Sequence, residues 1–493
     1  MTILKVPELP EQYIIKNNVE GISIDTQVSL ILEKLQETPI LKHPGSHDEL
    51  QSKLDSTKLP REGVPLEPLL RELNTGIIEY CRRNAHPGCW AYITSPGLPI
   101  DPMSHALTAA LNQNVTGFHS TPGATIIEQI VIDWMVQLAG LPESAGGLLQ
   151  GGGSLANLSA LTVARNQALG TTIIEHGLYA GPRLVLLVAE TVHFSVLRAA
   201  NILGIGTEDI IFIKVNTSKQ MCMTTLEESL KKFSECDEIR VVAVVATAGT
   251  TATGSIDPLS DIAIICKRYG VWLHVDAAYG GAALLSEDLR NRLLGIEQAN
   301  SITIDLHKWF YMSVECSVLL YRNPECARDT FAIKADYVRE NRDNKKEFDN
   351  FFELSPEVSR RFRALAIWFA FRHYGIDTLG HNVLYNVECA EYLAARVKSM
   401  QGLELVGEPQ LSICCFRYIP ADRKLTDKQL GELNDAIVRE LAEQGDFLLS
   451  STQIDKSSVL RVCIRSYTTK AEDVDRLIDV IFKTGKRLEH HYL

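Results

Sequence analysis

Between about residue 180 and residue 305, short apolar runs alternate with stretches of helical period. Residues 183–189, 210–215, 240–246 and 271–275 are rich in Val, Ile and Leu, and 302–304 is a shorter β-branched run. Continuous apolar character of that length marks strands buried on both faces. Residues 195–203, 225–233 and 257–269 carry the helix period, the last with Asp257 placed to N-cap and Pro258 at the first helical position. Such alternation predicts an α/β fold, a mostly parallel sheet with helices on both faces. Upstream, 101–114 and 125–138 read as amphipathic helices and 142–147 as a loop. Residues 1 to about 75 show helical periodicity at 26–37 and 66–75 and no strand signal, the pattern of a helical arm that packs on something else. Downstream, 332–352 reads as a charged loop of functional length, and 355–374 as one strong helix. From about residue 380, helices at 383–400 and 426–444 alternate with strands at 411–417, 447–451 and 459–466, a small α+β domain. The expected division is an arm over 1–95, a large domain over 96–380 and a small C-terminal domain over 381–493.

A sheet of this kind binds ligands at the carboxyl ends of its strands. His193, Thr247, Asp276 and the pair His307-Lys308 each stand just past such an end. A second signal is Gly151-Gly152-Gly153-Ser154, which opens a helix reaching about residue 167. Glycines let backbone approach a ligand closely, and a helix start offers free N–H groups and a positive dipole end, a combination that binds phosphate. The same pattern also suits a glycine turn with a serine N-cap. It is neither the dinucleotide fingerprint nor a phosphate loop ending in GK[ST]. Lys308 precedes Trp309-Phe310-Tyr311. Desolvation among these aromatics is expected to lower its pKa, and a neutral lysine amine is the nucleophile that forms a Schiff base with an aldehyde. The irregular stretch 80–97, with its Pro, Gly, His, Trp and Tyr, suits either a site-lining loop or a packed connector.

One cofactor uses all of these groups. Pyridoxal 5′-phosphate has a phosphate for the glycine turn, an aldehyde for Lys308 and a ring nitrogen for Asp276, whose charge keeps the ring an electron sink. His193 then lies on the ring face.

Composition narrows the remaining classes. The 493 residues are 45% hydrophobic and 22% charged, ordinary for a globular chain that buries a large core. A net charge of −12 argues against a nucleic-acid partner. The 11 cysteines show neither a CxxC pair nor a Cys/His metal spacing, the usage of a reducing compartment, so no metal is expected. Cys414 and Cys415 are adjacent in a strand-like run and should face opposite ways. The N-terminal MTILKVPELPEQY lacks a basic segment followed by an apolar core, and no stretch reaches the roughly 18 apolar residues of a membrane span. A cytoplasmic protein without a membrane partner is the expectation.

HVDAAYGGAAL around Asp276 and DLHKW around Lys308 resemble the pyridoxal-phosphate-dependent group II amino acid decarboxylases. That family includes the aromatic amino acid, tyrosine, histidine, glutamate and 2,4-diaminobutyrate decarboxylases. HPGCWAYITSPG, ALNQNVTGFHSTPGATIIEQ, QGGGSLANLSAL, VATAGTT, SPEVSRRFRAL and VLRVCIRSYTT are similar to family blocks in the same order, over nearly the whole chain. The resemblance implies the type I, aspartate-aminotransferase-like fold and a homodimer with active sites at the interface and an N-terminal arm around the partner. It implies Lys308 as the Schiff-base lysine, Asp276 on the ring nitrogen and His193 stacked on the ring near the reacting carbon. Gly153 and Ser154 would bind phosphate with His307 beside them, and Thr247 and Ala278 would flank the ring. The implied reaction is decarboxylation of an L-amino acid to its amine by Schiff-base exchange at Lys308. Trp90 and Tyr92 are candidate aromatic walls of the substrate pocket, and Asn114 and Thr116 candidate polar ones.

Two departures keep alternatives open. Aromatic-specific relatives carry a tyrosine on the loop before the SRRFR block, where this chain has Phe351 or Phe352; Tyr337 is the only tyrosine in that loop. In related plant enzymes a phenylalanine there accompanies conversion to an aldehyde, so an aldehyde synthase or another carbon–carbon lyase stands as the alternative. The stretch near Asn114, Thr116 and Phe118 is more polar than an aromatic-specific wall, which leaves polar, acidic or small substrates open. A scaffold that lost the chemistry is disfavoured by intact Lys308, Asp276 and His193.

Overall fold

The computed structural model describes residues 24–42, 46–54, 59–170, 172–332, 350–420 and 425–491. The chain forms two compact units, Met1–Arg83 and Asn84–Leu493. In the first, the described segments are the helices Ile24–Lys34, His47–Ser52 and Leu66–Glu72, the last continuing through a wide turn at Leu73–Ile77. Ser46 caps the second by accepting from Glu49 N–H. Leu59, Val64, Leu66 and Leu69 of this unit are exposed.

The second unit is built on a seven-stranded sheet of β1 (Gly146–Gln150), β2 (Arg183–Ala189), β3 (Ile210–Ile213), β4 (Ile239–Thr247), β5 (Trp272–Asp276), β6 (Ser301–Asp305) and β7 (Ser317–Tyr321), in the order β1-β7-β6-β5-β4-β2-β3. The pairings from β6 through β5, β4 and β2 to β3 are parallel, and β7 runs antiparallel to both β1 and β6. The sheet is covered on both faces, which is why apolar residues in β2 and β4 occur at successive positions and not only at alternate ones. Along β4, Val244 and Ala246 enter one core and Val245 the other, as the two-residue period requires. Gly153–Leu169 and Phe194–Ile202 share the second of these cores; Pro122–Leu138 and Ala364–Tyr374 belong to the first.

Three expectations are corrected. The loop read at 142–147 gives way to β1 from Gly146, and β7 was not foreseen. The helix read over 355–374 begins only at Ala364. Arg360, fully buried, pins the preceding segment to β1: its guanidinium donates to Val115 O (2.8 Å) and Leu149 O (2.7 Å) and pairs with the fully buried Glu128, which itself accepts from Leu149 N–H. Breaking such a pair from one side costs about 3–5 kcal/mol, more than a turn of helix returns. Asp257 does not N-cap the helix Leu259–Tyr269. Its carboxylate accepts instead from Met221 N–H (2.7 Å) and Thr247 N–H (2.8 Å), and so ties the end of β4 in place.

A second sheet, β10-β11-β9-β8, is antiparallel throughout: β8 (Leu403–Leu405), β9 (Ile413–Tyr418), β10 (Ser450–Ile454) and β11 (Ser457–Cys463). The long helices Ile376–Ser399, Asp427–Gln444 and Ala471–Leu488 pack on it around Phe416, Leu433, Val462 and Leu477. Cys414 and Cys415 enter different cores, on opposite faces of β9. Among the described residues no helix is long and apolar enough to cross a membrane.

Candidate active site

The carboxyl ends of β4, β5 and β6 and the turn after β1 converge on one cavity of about 300 Å³. Gly153, Ser154, His193, Thr247, Asp276, Ala278, His307 and Lys308, all read from the sequence as cofactor ligands, line it. Asn157, Ser195, Tyr279 and Asp305 line it as well.

The glycine turn is required by what surrounds it. Gly152 has φ +99°, and a Cβ on Gly153 would stand 2.6 Å from the Asp305 carboxylate. The turn delivers the N-terminus of the helix Gly153–Leu169 to the cavity, with no side-chain cap on its first N–H groups. Ser154 opens outward at that end.

Asp276 is the last residue of β5. Its Oδ1 accepts from Ala278 N–H (3.1 Å) and its Oδ2 from Asn157 Nδ2 (2.9 Å). Asp305 is the last residue of β6, and its Oδ2 lies 2.8 Å from Lys308 Nζ. Ser317 donates to its Oδ1. Burial opposes the charge on Asp305, but the Lys308 ammonium, His307 and these hydrogen bonds outweigh it and hold the carboxyl below its ordinary value. The same pairing corrects the expectation for Lys308. Burial disfavours its ammonium, yet Asp305 first and Asp276 second outweigh that, and the lysine is held above its ordinary value. The aromatic cap after it is fully buried: Trp309 Nε1 and Tyr311 O–H both donate to Asn386 Oδ1, and Trp309 stacks on Tyr279 at 5.2 Å. Ser95 donates to the Lys308 carbonyl. His307 Nδ1 stands 2.8 Å from Cys316 O, across the turn that leads to β7.

His193 is the N-cap of the helix Phe194–Ile202, and its Nδ1 accepts from Ser195 N–H. The Ser195 hydroxyl lies 2.8 Å from the same nitrogen. Burial is the main cause that pushes the His193 pKa down, against the pull of Asp276.

The expected substrate walls lie elsewhere in this chain. Trp90 is fully buried beside Phe447 in the core of the second sheet, and its Nε1 donates to Thr469. Its flat apolar surface serves packing, which corrects its reading as a pocket wall. Tyr92 is 58% exposed with φ +61°. Asn114 Oδ1 accepts from Arg360 N–H, and Thr116 pairs with Ser120; neither lines the cavity. Phe351 is fully buried, with the Arg360 guanidinium 4.9 Å from its ring centre. Tyr337 lies outside the described residues.

The sequence reading missed Asp305 and Asn157. Asp305 carried a signal, an acid three residues before the lysine at a strand end. Asn157 carried only its place one turn into the glycine-led helix. The cavity suits a phosphate-bearing aldehyde: a helix N-terminus too crowded at Gly153 for any Cβ, an amine opposite it, and the buried Thr247 Oγ1, which has no hydrogen-bond partner among the described residues. The parallel sheet, its strand-end carboxylates and this fit define a pyridoxal-phosphate enzyme.

The chain belongs to the pyridoxal-dependent decarboxylases: the family model described as the pyridoxal-dependent decarboxylase conserved domain matches residues 48–419. It is 32% identical to an aromatic-L-amino-acid decarboxylase of Bacillus atrophaeus over 427 residues, 87% of each chain. It is 33% identical to an L-2,4-diaminobutyrate decarboxylase of Rhizobium meliloti (strain 1021) over 439 residues, 89% of this chain and 86% of that one. Its fold matches the crystal structure of Oryza sativa TDC with PLP and tryptamine at a TM-score of 0.88 and 24% identity, covering 94% of this chain and 96% of the other. The protein is thus a pyridoxal-phosphate-dependent amino acid decarboxylase, a carboxy-lyase.

Proposed function

We propose that the protein converts an L-amino acid to its amine and carbon dioxide, with Lys308 as the residue that carries the cofactor. The observation that carries this reading is the placement of the Lys308 amine, the Asp276 carboxylate and the Gly153 helix N-terminus on one cavity. When bound, pyridoxal phosphate supplies an aldehyde and a conjugated ring that accepts the electrons released with the carboxylate. Gly153, Ser154 and His307 would hold the phosphate. Asp276, kept in orientation by Ala278 N–H and Asn157, would face the ring nitrogen. His193 would lie over the ring, with Thr247 and Ala278 flanking it. Asp305 holds Lys308 Nζ on the cavity and favours its ammonium form; to act as a nucleophile on an aldehyde, Nζ would first have to give up a proton, with Asp305 Oδ2 the acceptor at hand. The buried Trp309-Phe310-Tyr311 cap excludes water beneath the lysine.

The active unit is a homodimer with its sites at the subunit interface. The arm expected over 1–95 would be drawn from the unit that ends at Arg83, since Trp90 packs in the core of the second sheet, with 96–380 as the large domain and 381–493 as the small one. The exposed leucines of the first unit support the arm, and sedimentation of the protein as a monomer would overturn this part. The 11 free cysteines support a cytoplasmic setting.

Substrate and product are tested together. Purified protein loaded with cofactor is given aromatic amino acids, 2,4-diaminobutyrate, glutamate and aspartate. Carbon dioxide with the matching amine is the expected result. Aldehyde, ammonia and peroxide would instead establish the aldehyde synthase, which the phenylalanines at 351 and 352 favour.

A further inference from the structure

One amide joins the two sides of the cavity. Asn157 Nδ2 donates to Asp276 Oδ2 at 2.9 Å and to Ser195 Oγ at 3.2 Å. Its Oδ1 stands 3.0 Å from His274 Nε2, and His274 Nδ1 stands 2.8 Å from Ser301 Oγ. Trp272 Nε1 donates to the same Ser301 oxygen at 2.9 Å. His274, Asn157 and Ser195 are all buried.

The direction of every bond in this chain follows from its two ends. A carboxylate accepts only, so the NH₂ side of Asn157 faces Asp276 and its oxygen faces His274. His274 therefore donates from Nε2 and accepts at Nδ1, which takes the Ser301 hydroxyl hydrogen. Trp272 N–H, a donor only, satisfies the Ser301 oxygen. On the other side, Ser195 Oγ accepts from Asn157, and its own hydrogen is left for His193 Nδ1 at 2.8 Å. The backbone N–H of Ser195 points at that nitrogen too. With two donors aimed at it, Nδ1 has no room for a proton of its own.

We propose that Asn157, acting through Ser195, is a positioning residue that fixes His193 as the neutral tautomer with its hydrogen on Nε2, while the same amide orients Asp276. His193 then meets the reacting centre as a hydrogen-bond donor and not as a base. This rests on the reading of His193 as the residue over the cofactor ring. Asp276, Lys308, Asp305 and Arg198 are the charged groups facing His193, and burial outweighs them in the direction of the neutral ring. No charged group enters the chain of bonds between Asn157 and His193, so the tautomer depends on donors and acceptors alone.

The test labels the imidazole nitrogens of the full-length protein with ¹⁵N, with pyridoxal phosphate bound and again without it, and assigns His193 by His193→Gln. The expected wild-type pattern is a protonated Nε2 and an unprotonated Nδ1 at neutral pH in both states. In Asn157→Asp the introduced carboxylate accepts where the amide donated, so the Ser195 hydroxyl turns towards it and the single-tautomer pattern is lost. Ser195→Ala removes the shorter of the two donors and leaves only the backbone N–H at 3.3 Å, so the Nδ1–H form should become populated beside the Nε2–H form, and Ser195→Thr, which restores the hydroxyl, should suppress it again. A protonated Nδ1 in the wild type, or an unchanged pattern in Asn157→Asp, overturns the proposal. If Asn157→Asp does not fold, the Ser195→Ala and Ser195→Thr pair decides: equal spectra overturn it, and loss followed by recovery supports it. The tautomer is read without turnover, so a protein that shows Nε2–H but releases no amine refutes the proposed reaction and leaves this inference standing.

Discussion

Asp276 and Asp305 are the last residues of adjacent parallel strands, both buried and both on the same cavity. Their surroundings are opposite. Asp276 is held by neutral donors, an amide side chain and a backbone N–H. Asp305 is saturated from within, by Lys308 and Ser317. A carboxylate whose hydrogen bonds come from neutral donors is left free to face a cation from outside, in the proposed reading the ring nitrogen. A carboxylate already paired with a lysine positions that lysine instead. The same residue type at equivalent places serves recognition in one strand and construction in the next.

The largest expected effect removes what the two acids serve. Lys308→Ala should abolish the covalent attachment of pyridoxal phosphate, read by mass after borohydride reduction, and lower turnover at least ~10³-fold, about 4 kcal/mol. Covalent attachment at another lysine would break the assignment.

The next effect lies behind Asp276. Burial lowers the His274 pKa from 6.5 to about 4. The folded protein then binds fewer protons than the unfolded chain between these values, so stability falls as pH drops through that window. The loss should reach about 3 kcal/mol near pH 4. Denaturant titrations at pH 7 and near pH 4 measure it, and His274→Gln should flatten the difference; an equal slope in the variant would remove His274 as its source.

The two aspartates are then set against each other directly. Asp276→Asn keeps shape and packing and removes the charge, so turnover should fall ~10²-fold, about 3 kcal/mol, with little change in melting temperature. Asp305→Asn should do the reverse. It leaves a half-buried lysine without its partner and should destabilise the fold by about 2 kcal/mol, less than for a fully buried pair because the amine is partly solvated and can shed its proton. Since Asp305 is what raises the Lys308 pKa, the pH at which pyridoxal phosphate attaches should move down in this variant. Equal profiles for the two variants, in stability and in turnover, would erase the distinction between the acids.

Much of the large domain was legible from pattern. β2 and β4 are long apolar runs and β5 and β6 shorter ones, and β4, β5 and β6 end on Thr247, Asp276 and Asp305, which the sheet's parallel direction carries to the same edge. The glycine-led helix start was legible too, because glycine, helix dipole and spacing act locally. β7 was not, since a five-residue apolar segment becomes an antiparallel strand only when β1 and β6 stand on either side of it. Nor was the late start of the helix at Ala364: local propensity favours helix from Ser355, and the Arg360–Glu128 pair overrides it. Trp90 reads like a site residue by composition and is a core residue by neighbourhood.

By itself, then, the sequence determined the parallel sheet, the positions of Lys308, Asp276 and His193 at strand ends and the glycine turn, because each depends on residues close together along the chain. Only the tertiary structure decided the pairing of Lys308 with Asp305, the different hydrogen-bond partners of the two aspartates and the link from Asn157 through Ser195 to His193. Those depend on which side chains share a desolvated space: Asn157 meets Asp276 across 119 positions of sequence and His274 across 117, and no local pattern encodes so long a contact.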